Sequence, residues 1–244
     1  MNRILKVMML LAIAGCTKTD TIAPPAEADN RITEYKIVNV QGDPIYGTIH
    51  DADSSITVYL PFYKQLVVLE PEIKVSTGAT VQPGTGTLIE DLLDVFQKGR
   101  DIKYAVTGKS GKRKTYTLKI NVQQPSLTLK EVSTSATDIK VYDIKMSVDF
   151  SGMNLALRGT GFQENLSLMK IVLVDETGKE YPPFVKSATN TNDLNLVGIS
   201  LVNYKSSPDP LLTALPATGL YKIRVYSYAK VVTTTFPIRI NKLP

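Results

Sequence analysis

Apolar and polar residues alternate in steps of two through most of the chain, and no long stretch keeps the period of a helix. Ile56, Val58 and Leu60 share one face of such a stretch, and the alternation recurs over 115–122. Successive side chains of a strand point to opposite faces of its sheet, so this period is that of half-buried strands. Residues 32–122 therefore predict a domain built of strands.

Turn residues punctuate these strands. Gly108–Gly111 is a short link after the strand-like run 102–107, which predicts a hairpin between antiparallel neighbours. In Leu88–Phe96 the apolar spacing is irregular. A short helical turn, a strand and a loop all remain open there.

A second alternating series follows a proline boundary. Pro125 cannot donate a hydrogen bond to a sheet, so residues 123–126 mark the predicted end of the first domain. The strand-like runs beyond it have the short, regular spacing of a second β-sandwich. These runs are Leu127 to Val132, Ile139 to Phe150, Leu155 to Leu157, Leu168 to Val174, Leu194 to Val202, Leu220 to Tyr228 and Val231 to Ile240.

The first domain carries motifs in a recognisable order. They are Ile56 to Pro61, Leu69 to Pro71 with Ile73, Val75 to Ala79, Pro83 with Gly86, and Tyr104 to Thr107 with Gly111 and Tyr116. This order resembles an immunoglobulin-like module common in surface lipoproteins of gut Bacteroidota. The resemblance implies a sandwich scaffold, and no activity is carried over from these positions. Residues 91–99 depart from the family's usual short link, so the resemblance implies nothing about that loop.

The second domain has a different set of motifs, namely Leu155 to Phe162, Ile171 to Val174 before Asp175 to Gly178, and Leu215 to Val225. Over 127–241 these resemble the IPT/TIG family of immunoglobulin-like folds. Gly159 and Gly161 allow a sharp bend at a strand end, and Phe162 is expected to close the open end of the sandwich. Residues 138–150 are longer than the family's usual connection, which leaves room for a hairpin insertion.

The N-terminal sequence predicts the cellular location of the protein. Arg3 and Lys6 precede a short apolar run, and small residues then lead into Cys16. A spanning helix needs about 20 apolar residues, so this run is a secretory signal rather than a membrane span. The sequence Ile-Ala-Gly-Cys resembles the bacterial lipobox, which implies cleavage before Cys16, a thioether link to diacylglycerol and acylation of the new amine. An ordinary signal peptide with a chance cysteine is the alternative.

These signals together predict an all-β protein with two tandem immunoglobulin-like β-sandwiches. The predicted segments are a lipoprotein signal peptide (1–15), a flexible lipidated tether (16–30), an immunoglobulin-like sandwich (31–124) and an IPT/TIG-like sandwich (125–244). Because each sandwich is expected to have its own core, fragments 28–124 and 125–244 are both expected to fold. The expected location is the outer membrane, on the cell surface, with membrane attachment through lipid on Cys16.

The composition argues against several classes of function. Loss of Arg3 and Lys6 with the signal leaves 26 of the 28 basic residues against 23 acidic ones. Nucleic-acid binding needs a concentrated basic face, and none is visible. With a single cysteine and with His50 as the only histidine, the sequence predicts no internal disulfide, no His-rich metal site and no histidine-based triad. We therefore expect no enzyme activity and no cofactor.

Several short motifs are better explained as turns. The glycine pairs at 84–86 and 159–161 lack the spacing of a phosphate-binding loop. Asp51 and Asp53 lack the glycine and distal glutamate of an EF-hand. The acidic pairs 90–91 and 175–176 have no visible partner across a cleft, as glycoside hydrolysis would require.

One face of a predicted strand is the candidate ligand site. Over 221–228, alternation places Lys222, Arg224, Tyr226 and Tyr228 on the face opposite the apolar residues. Exposed tyrosines beside cations are suited to a sugar or a protein partner. The alternative is that the tyrosines pack against the next strand or the first domain. If the face binds ligand, alanine at both tyrosines should weaken binding without changing the melting temperature.

The predicted function is non-catalytic glycan binding by a cell-envelope lipoprotein during polysaccharide capture. The alternative is an adhesion or surface-assembly component that binds a partner protein. An aromatic platform favours the first hypothesis, and a broad patch or an open sheet edge favours the second.

Overall fold

The computed structural model describes residues 28–187, 193–204, 207 and 209–244. The described chain is almost entirely β, which confirms the predicted all-β class with sandwich architecture. The signal segment 1–15 and Cys16 lie outside the described residues. Within the described part of the chain, no helix has the length and hydropathy to cross a membrane.

The strands are β1 (Ile32–Ile37), β2 (Ile45–His50), β3 (Ser55–Pro61), β4 (Pro71–Val75), β5 (Thr80–Gln82), β6 (Ile102–Thr107), β7 (Arg113–Gln123), β8 (Thr128–Leu129), β9 (Val141–Lys145), β10 (Ser151–Thr160), β11 (Met169–Val174), β12 (Val185–Ser187), β13 (Leu196–Asn203), β14 (Thr218–Ser227), β15 (Lys230–Thr233) and β16 (Ile238–Leu243). The α-helices are α1 (Leu92–Lys98) and α2 (Pro210–Ala214), and Phe62–Lys64 and Leu166–Leu168 form 3₁₀ turns.

The first seven strands form one hydrogen-bonded path in the order β4-β1-β2-β3-β7-β6-β5. The pair β3–β7 is parallel, whereas β6 and β7 form the predicted antiparallel hairpin. Strand β2 changes partner along its length, from β1 to β3. The change occurs at Gly47, where an added Cβ would lie 2.9 Å from side-chain atoms of both Ile56 and Tyr35. Glycine therefore lets β2 pass close over the core.

Helix α1 resolves the alternatives that the sequence left open at 88–96. The Asp91 side chain accepts a hydrogen bond from the Asp94 backbone N–H at 3.0 Å, which caps the first turn. Gly99 ends the helix with a φ of 61°, a left-handed conformation that glycine adopts without strain. Leu92 and Val95 are buried in the first core.

The second region is a sandwich of two sheets. One sheet has the order β12-β13-β10-β8, and the other has the order β11-β14-β16-β9 with β15 added beside β14. Apolar residues from both sheets meet in one core, among them Leu157 and Ile199 from the first sheet and Ile171 and Ile223 from the second. Alternation thus fills this core as the sequence predicted.

Some predicted runs differ from the observed strands. The run 139–150 contains β9 and then a bend, and β10 begins only at Ser151. The run 155–157 is the middle of the ten-residue strand β10. The short helix α2 was not predicted; the Asp209 side chain caps it by accepting a hydrogen bond from the Leu211 backbone N–H at 2.8 Å.

The predicted glycine bend in the second sandwich has a direct steric cause. A Cβ at Gly159 would lie 2.0 Å from the Thr128 carbonyl oxygen, and Gly161 has a φ of 78°. Both positions therefore exclude a larger residue without movement of the backbone. Phe162 follows this bend and is 2% exposed in the second core.

Side chains of the second region also enter the first core. Leu168 and Tyr228 are both 1% exposed and belong to the apolar cluster formed by the first seven strands. Polar contacts accompany them, because Gln65 Nε2 donates to Gln163 Oε1 at 2.9 Å and Gln65 Oε1 accepts from the Asn165 backbone N–H at 2.9 Å. The strands of the two regions are separate, but the packing is shared at their junction.

Candidate functional site

The four predicted ligand residues, which lie on strand β14 or directly after it, are found in different environments. Tyr221, Ile223 and Val225 point into the second core and are buried, as alternation requires. On the opposite face, the predicted residue Lys222 is exposed, whereas the other two of that face, Arg224 and Tyr226, are partly buried. The fourth predicted residue, Tyr228, departs from this pattern.

The expectation that Tyr228 is exposed is wrong. Its backbone has a φ of 52°, so the chain turns at the end of β14 and the side chain leaves the outer face. The ring makes an edge contact with Phe96 at a centroid distance of 5.5 Å. Its hydroxyl donates to the Leu66 carbonyl oxygen at 2.9 Å. Burial raises the pKa of Tyr228 well above its ordinary value. The alternative of packing against the first domain is correct for this tyrosine.

Glu180 organises the outer face of β14. It accepts hydrogen bonds from Arg224 Nη1 at 2.9 Å and from the Tyr226 hydroxyl. Lys170 Nζ lies 3.5 Å from the other carboxylate oxygen and 5.2 Å from the Tyr226 ring centroid. Burial alone would raise the pKa of Glu180, but the hydrogen bonds from Tyr226 and Arg224 outweigh it and lower that pKa. The network fixes the orientation of the Tyr226 ring.

A cleft opens beside this ring, between helix α1 and the β14–β15 hairpin. Its volume is about 90 Å³. Tyr226 and Tyr228, two of the predicted site residues, therefore lie at one concave site. The lining residues are Phe96, Gln97, Tyr226, Tyr228, Ala229, Lys230 and Val231.

Gln97 gives this cleft an unused hydrogen-bond donor. Its Oε1 accepts from Lys170 Nζ at 3.1 Å. Its Nε2 is buried and has no hydrogen-bond partner among the described residues. Buried polar groups normally have a partner, because an unpaired one costs free energy. Gln97 therefore lines the cleft with a donor that no described protein group uses, and a rotation of its side chain would bring that donor to a ligand.

Sequence patterns did not identify Phe96 and Gln97 as site residues. Phe96 ends the segment whose secondary structure was left open and Gln97 follows it, whereas the other half of the cleft comes from a hairpin about 130 residues later in the chain. No local pattern links the two. The helical spacing of 92–98 was the only available signal, and it marks a buried face without identifying its neighbour.

Asp51 has a structural role. Its carboxylate lies 2.7 Å from Arg31 Nε and 2.9 Å from Lys114 Nζ, and it accepts a hydrogen bond from Tyr116. Burial would raise the pKa of Asp51, but these hydrogen bonds and charges lower it. Asp53 bonds separately to Lys119 and Ser55, at 3.2 and 2.8 Å. Within the described residues, no group of three or more histidines, cysteines or acidic residues is placed to hold a metal ion.

Other aromatic side chains are more exposed than Tyr226 but do not line a cleft with it. Tyr46 and Tyr59, on neighbouring strands of the first region, are 61% and 52% exposed. In the second region, Phe150 and Tyr204 make an edge contact at 5.7 Å. Tyr204 follows Asn203, which pairs with Ser151, so this pair lies at the end of the sandwich away from the junction.

The Glu180 network predicts a pH dependence of stability. The folded protein has a lowered Glu180 pKa, so the network stabilises the fold above the unfolded pKa of about 4.3, and this stabilisation is lost as the pH falls through the folded value. Urea unfolding of the wild type and Glu180→Gln should therefore differ most near pH 6 and converge toward pH 3. A difference that is the same at both pH values would contradict the assignment.

Comparison with known families finds a match for part of the chain. Residues 32–120 match the family model described as "SGBP, N-terminal". The matched residues lie within the first region. The match contains Phe96 and Gln97 but none of the β14–β15 hairpin. A search of curated proteins found no match to the sequence.

Solved structures show weaker likenesses. A Bacteroides thetaiotaomicron structural genomics protein of unknown function is 19% identical over 49% of this chain and 22% of its own, with a TM-score of 0.32. A candidate glycoside hydrolase of the same organism is 12% identical over 89% and 83%, with a TM-score of 0.33. The Bacteroides ovatus mixed-linkage glucan utilization locus SGBP-B, in complex with a mixed-linkage heptasaccharide, is 14% identical over 88% and 48%, with a TM-score of 0.24. Likenesses this low carry no argument about this chain's activity.

Proposed function

We propose that this protein is a non-catalytic, lipid-anchored protein of the cell surface that binds glycan in the cleft between helix α1 and the β14–β15 hairpin. The observation that carries the proposal is the unpaired Gln97 amide, buried beside the oriented ring of Tyr226. The match of residues 32–120 to a family model of surface glycan-binding proteins supports the ligand class.

The cleft offers the two kinds of contact that a sugar ring uses. Once its side chain rotates toward the cleft, the Gln97 amide donates to a sugar hydroxyl, which relieves its unpaired state. Tyr226 and Val231, which is 57% exposed, supply an apolar surface for the C–H face of the ring. Because Glu180 and Arg224 hold Tyr226 in place, little side-chain freedom is lost on binding.

Substitutions in the cleft test the proposal. We expect Tyr226→Ala and Gln97→Ala each to weaken binding of a glycan found by array screening by about tenfold, since one such contact contributes roughly 1–1.5 kcal/mol. The measurement is calorimetry on the soluble form that begins near Ala28.

Tyr204→Ala is the matched control, because it removes an exposed tyrosine at the other end of the second sandwich. It should leave the affinity unchanged. Equal affinity of the wild type and both cleft variants would exclude this cleft as the glycan site.

The proposed membrane attachment through Cys16 has its own test. Cys16 is the only cysteine in the sequence, so no other thiol can accept the lipid. Cys16→Ala should therefore give an unprocessed or soluble protein, and detergent partition of cell fractions measures this. A variant that is still processed and still partitions with membranes would contradict lipid attachment at Cys16.

The protein-partner alternative has one specific observation in its favour. Phe150 is 71% exposed and has a φ of 62°, an uncommon conformation for a residue with a large side chain. The buried Asn203 amide holds the preceding bend by donating to the Val148 carbonyl oxygen at 3.0 Å. An aromatic residue presented on a fixed bend is suited to a protein contact. The cleft remains the better candidate because it is concave and contains an unused donor.

A further inference from the structure

The rim of the cleft carries an excess of positive charge. Lys230 lines the cleft, and Lys170 and Arg224 lie beside it, where both contact the carboxylate of Glu180. The chain as a whole has only a small net charge, with 28 basic and 23 acidic residues. The local excess is therefore a property of this site rather than of the composition.

Glu180 neutralises only part of this charge. It lies 2.9 Å from Arg224 Nη1, whereas Lys170 Nζ is at the longer distance of 3.5 Å. The Tyr226 hydroxyl also donates to the carboxylate oxygen that Arg224 contacts. Glu180 is thus committed mainly to Arg224 and Tyr226, and Lys170 forms only a longer ion pair with it beside the ring, with a hydrogen bond to the neutral Gln97 Oε1.

Lys230 has no carboxylate partner among the described residues. Its Nζ donates to the carbonyl oxygens of Gln124 and Pro125, at 3.2 and 3.0 Å. Neutral carbonyls orient an ammonium group without cancelling its charge, and an ammonium group has three donors. One N–H of Lys230 therefore remains for a ligand in the cleft that this residue lines.

We propose that the ligand of this cleft is an acidic glycan, whose carboxylate or sulfate groups bind Lys230 and Lys170 while a sugar ring lies against Tyr226. This inference rests on the proposed glycan function and specifies its ligand class. Lysine binds anions as a point charge, so the site accepts either a uronate or a sulfate ester. A neutral glycan would leave the rim charge uncompensated.

Matched ligands test this assignment. We expect a galacturonic acid tetramer to bind at least tenfold more tightly than its fully methyl-esterified form, which keeps the rings and loses the charges. Its affinity should fall severalfold between 50 and 250 mM NaCl, because salt screens charge pairs at a partly exposed site. A sulfated galactan tetramer, compared with its desulfated form, distinguishes sulfate from carboxylate as the anion.

Lys230→Gln should reduce the ratio of the affinities for the acidic tetramer and for its ester by about tenfold, which corresponds to about 1.4 kcal/mol. Lys112→Gln, at the β6–β7 hairpin, is the control and should leave the preference unchanged. Acidic and neutral forms that bind equally, with affinity still lost in Tyr226→Ala, would overturn the acidic ligand and keep the glycan site. Binding that is insensitive to Tyr226→Ala in every form would overturn both proposals.

Discussion

Tyr228→Ala is expected to lower the free energy of unfolding by about 3–5 kcal/mol, the usual cost of deleting a fully buried aromatic ring. The ring is 1% exposed and contacts Phe96 across the junction. Its deletion leaves a cavity between the two regions and an unpaired Leu66 carbonyl. Urea unfolding measures the loss. The result would also correct the expectation that alanine at both tyrosines of the predicted face keeps the melting temperature.

Tyr228→Phe is the matched control for this prediction. It keeps the ring and the left-handed backbone and removes only the hydroxyl that donates to Leu66. A loss of about 1 kcal/mol is expected for one such hydrogen bond. Losses of equal size in the two variants would show that the hydrogen bond, rather than the packing of the ring, holds the junction.

The isolated fragment 28–124 is expected to be less stable than the same region in the whole protein by about 3–6 kcal/mol, since it loses two buried side chains from its core at roughly 1.5–3 kcal/mol each. These are Leu168 and Tyr228. Fragment 125–244 should lose less, because the members of its own apolar cluster all come from 127–240. Hydrogen exchange of the β3 amides in the fragment and in the intact chain measures the difference.

A fragment loses both the packing of Leu168 and Tyr228 and the rest of the second region. A substitution in the full chain removes only the packing, so it separates the two effects. Leu168→Ala should speed exchange at β3 in the intact protein, although Leu168 is far from β3 in sequence. Identical protection of β3 in the fragment, the variant and the wild type would show that the first region is independent of the second. The two regions on either side of the predicted boundary at residues 124 and 125 would then not stabilise each other.

Sequence reasoning located most of the strands because their cause is local. A strand with one buried face must alternate, and 55–60, 115–122 and 221–225 do so in the structure. The bend at Gly159 and Gly161 was predictable for a similar reason, since a glycine pair followed by Phe162 is a short motif with one steric explanation.

The candidate site was only partly predictable. Alternation assigned Arg224 and Tyr226 to the outer face of their strand, and the structure agrees. It failed at Tyr228, because a turn with positive φ breaks the two-residue period, and a tyrosine is not a typical residue for that conformation. Glu180 and Gln97 reach Tyr226 and its cleft from other parts of the chain, so no pattern within β14 could have identified them.

The amino-acid sequence is enough to show that this protein is built of strands, because burial of one sheet face imposes a period that is visible residue by residue. The packed junction of the two regions and the cleft beside it become visible only when the chain is folded. Tyr228 is buried against Phe96 and the Gln97 amide is left unpaired because α1 and the β14–β15 hairpin meet. Such contacts depend on how two folded surfaces fit, a property of shape that neither segment encodes alone.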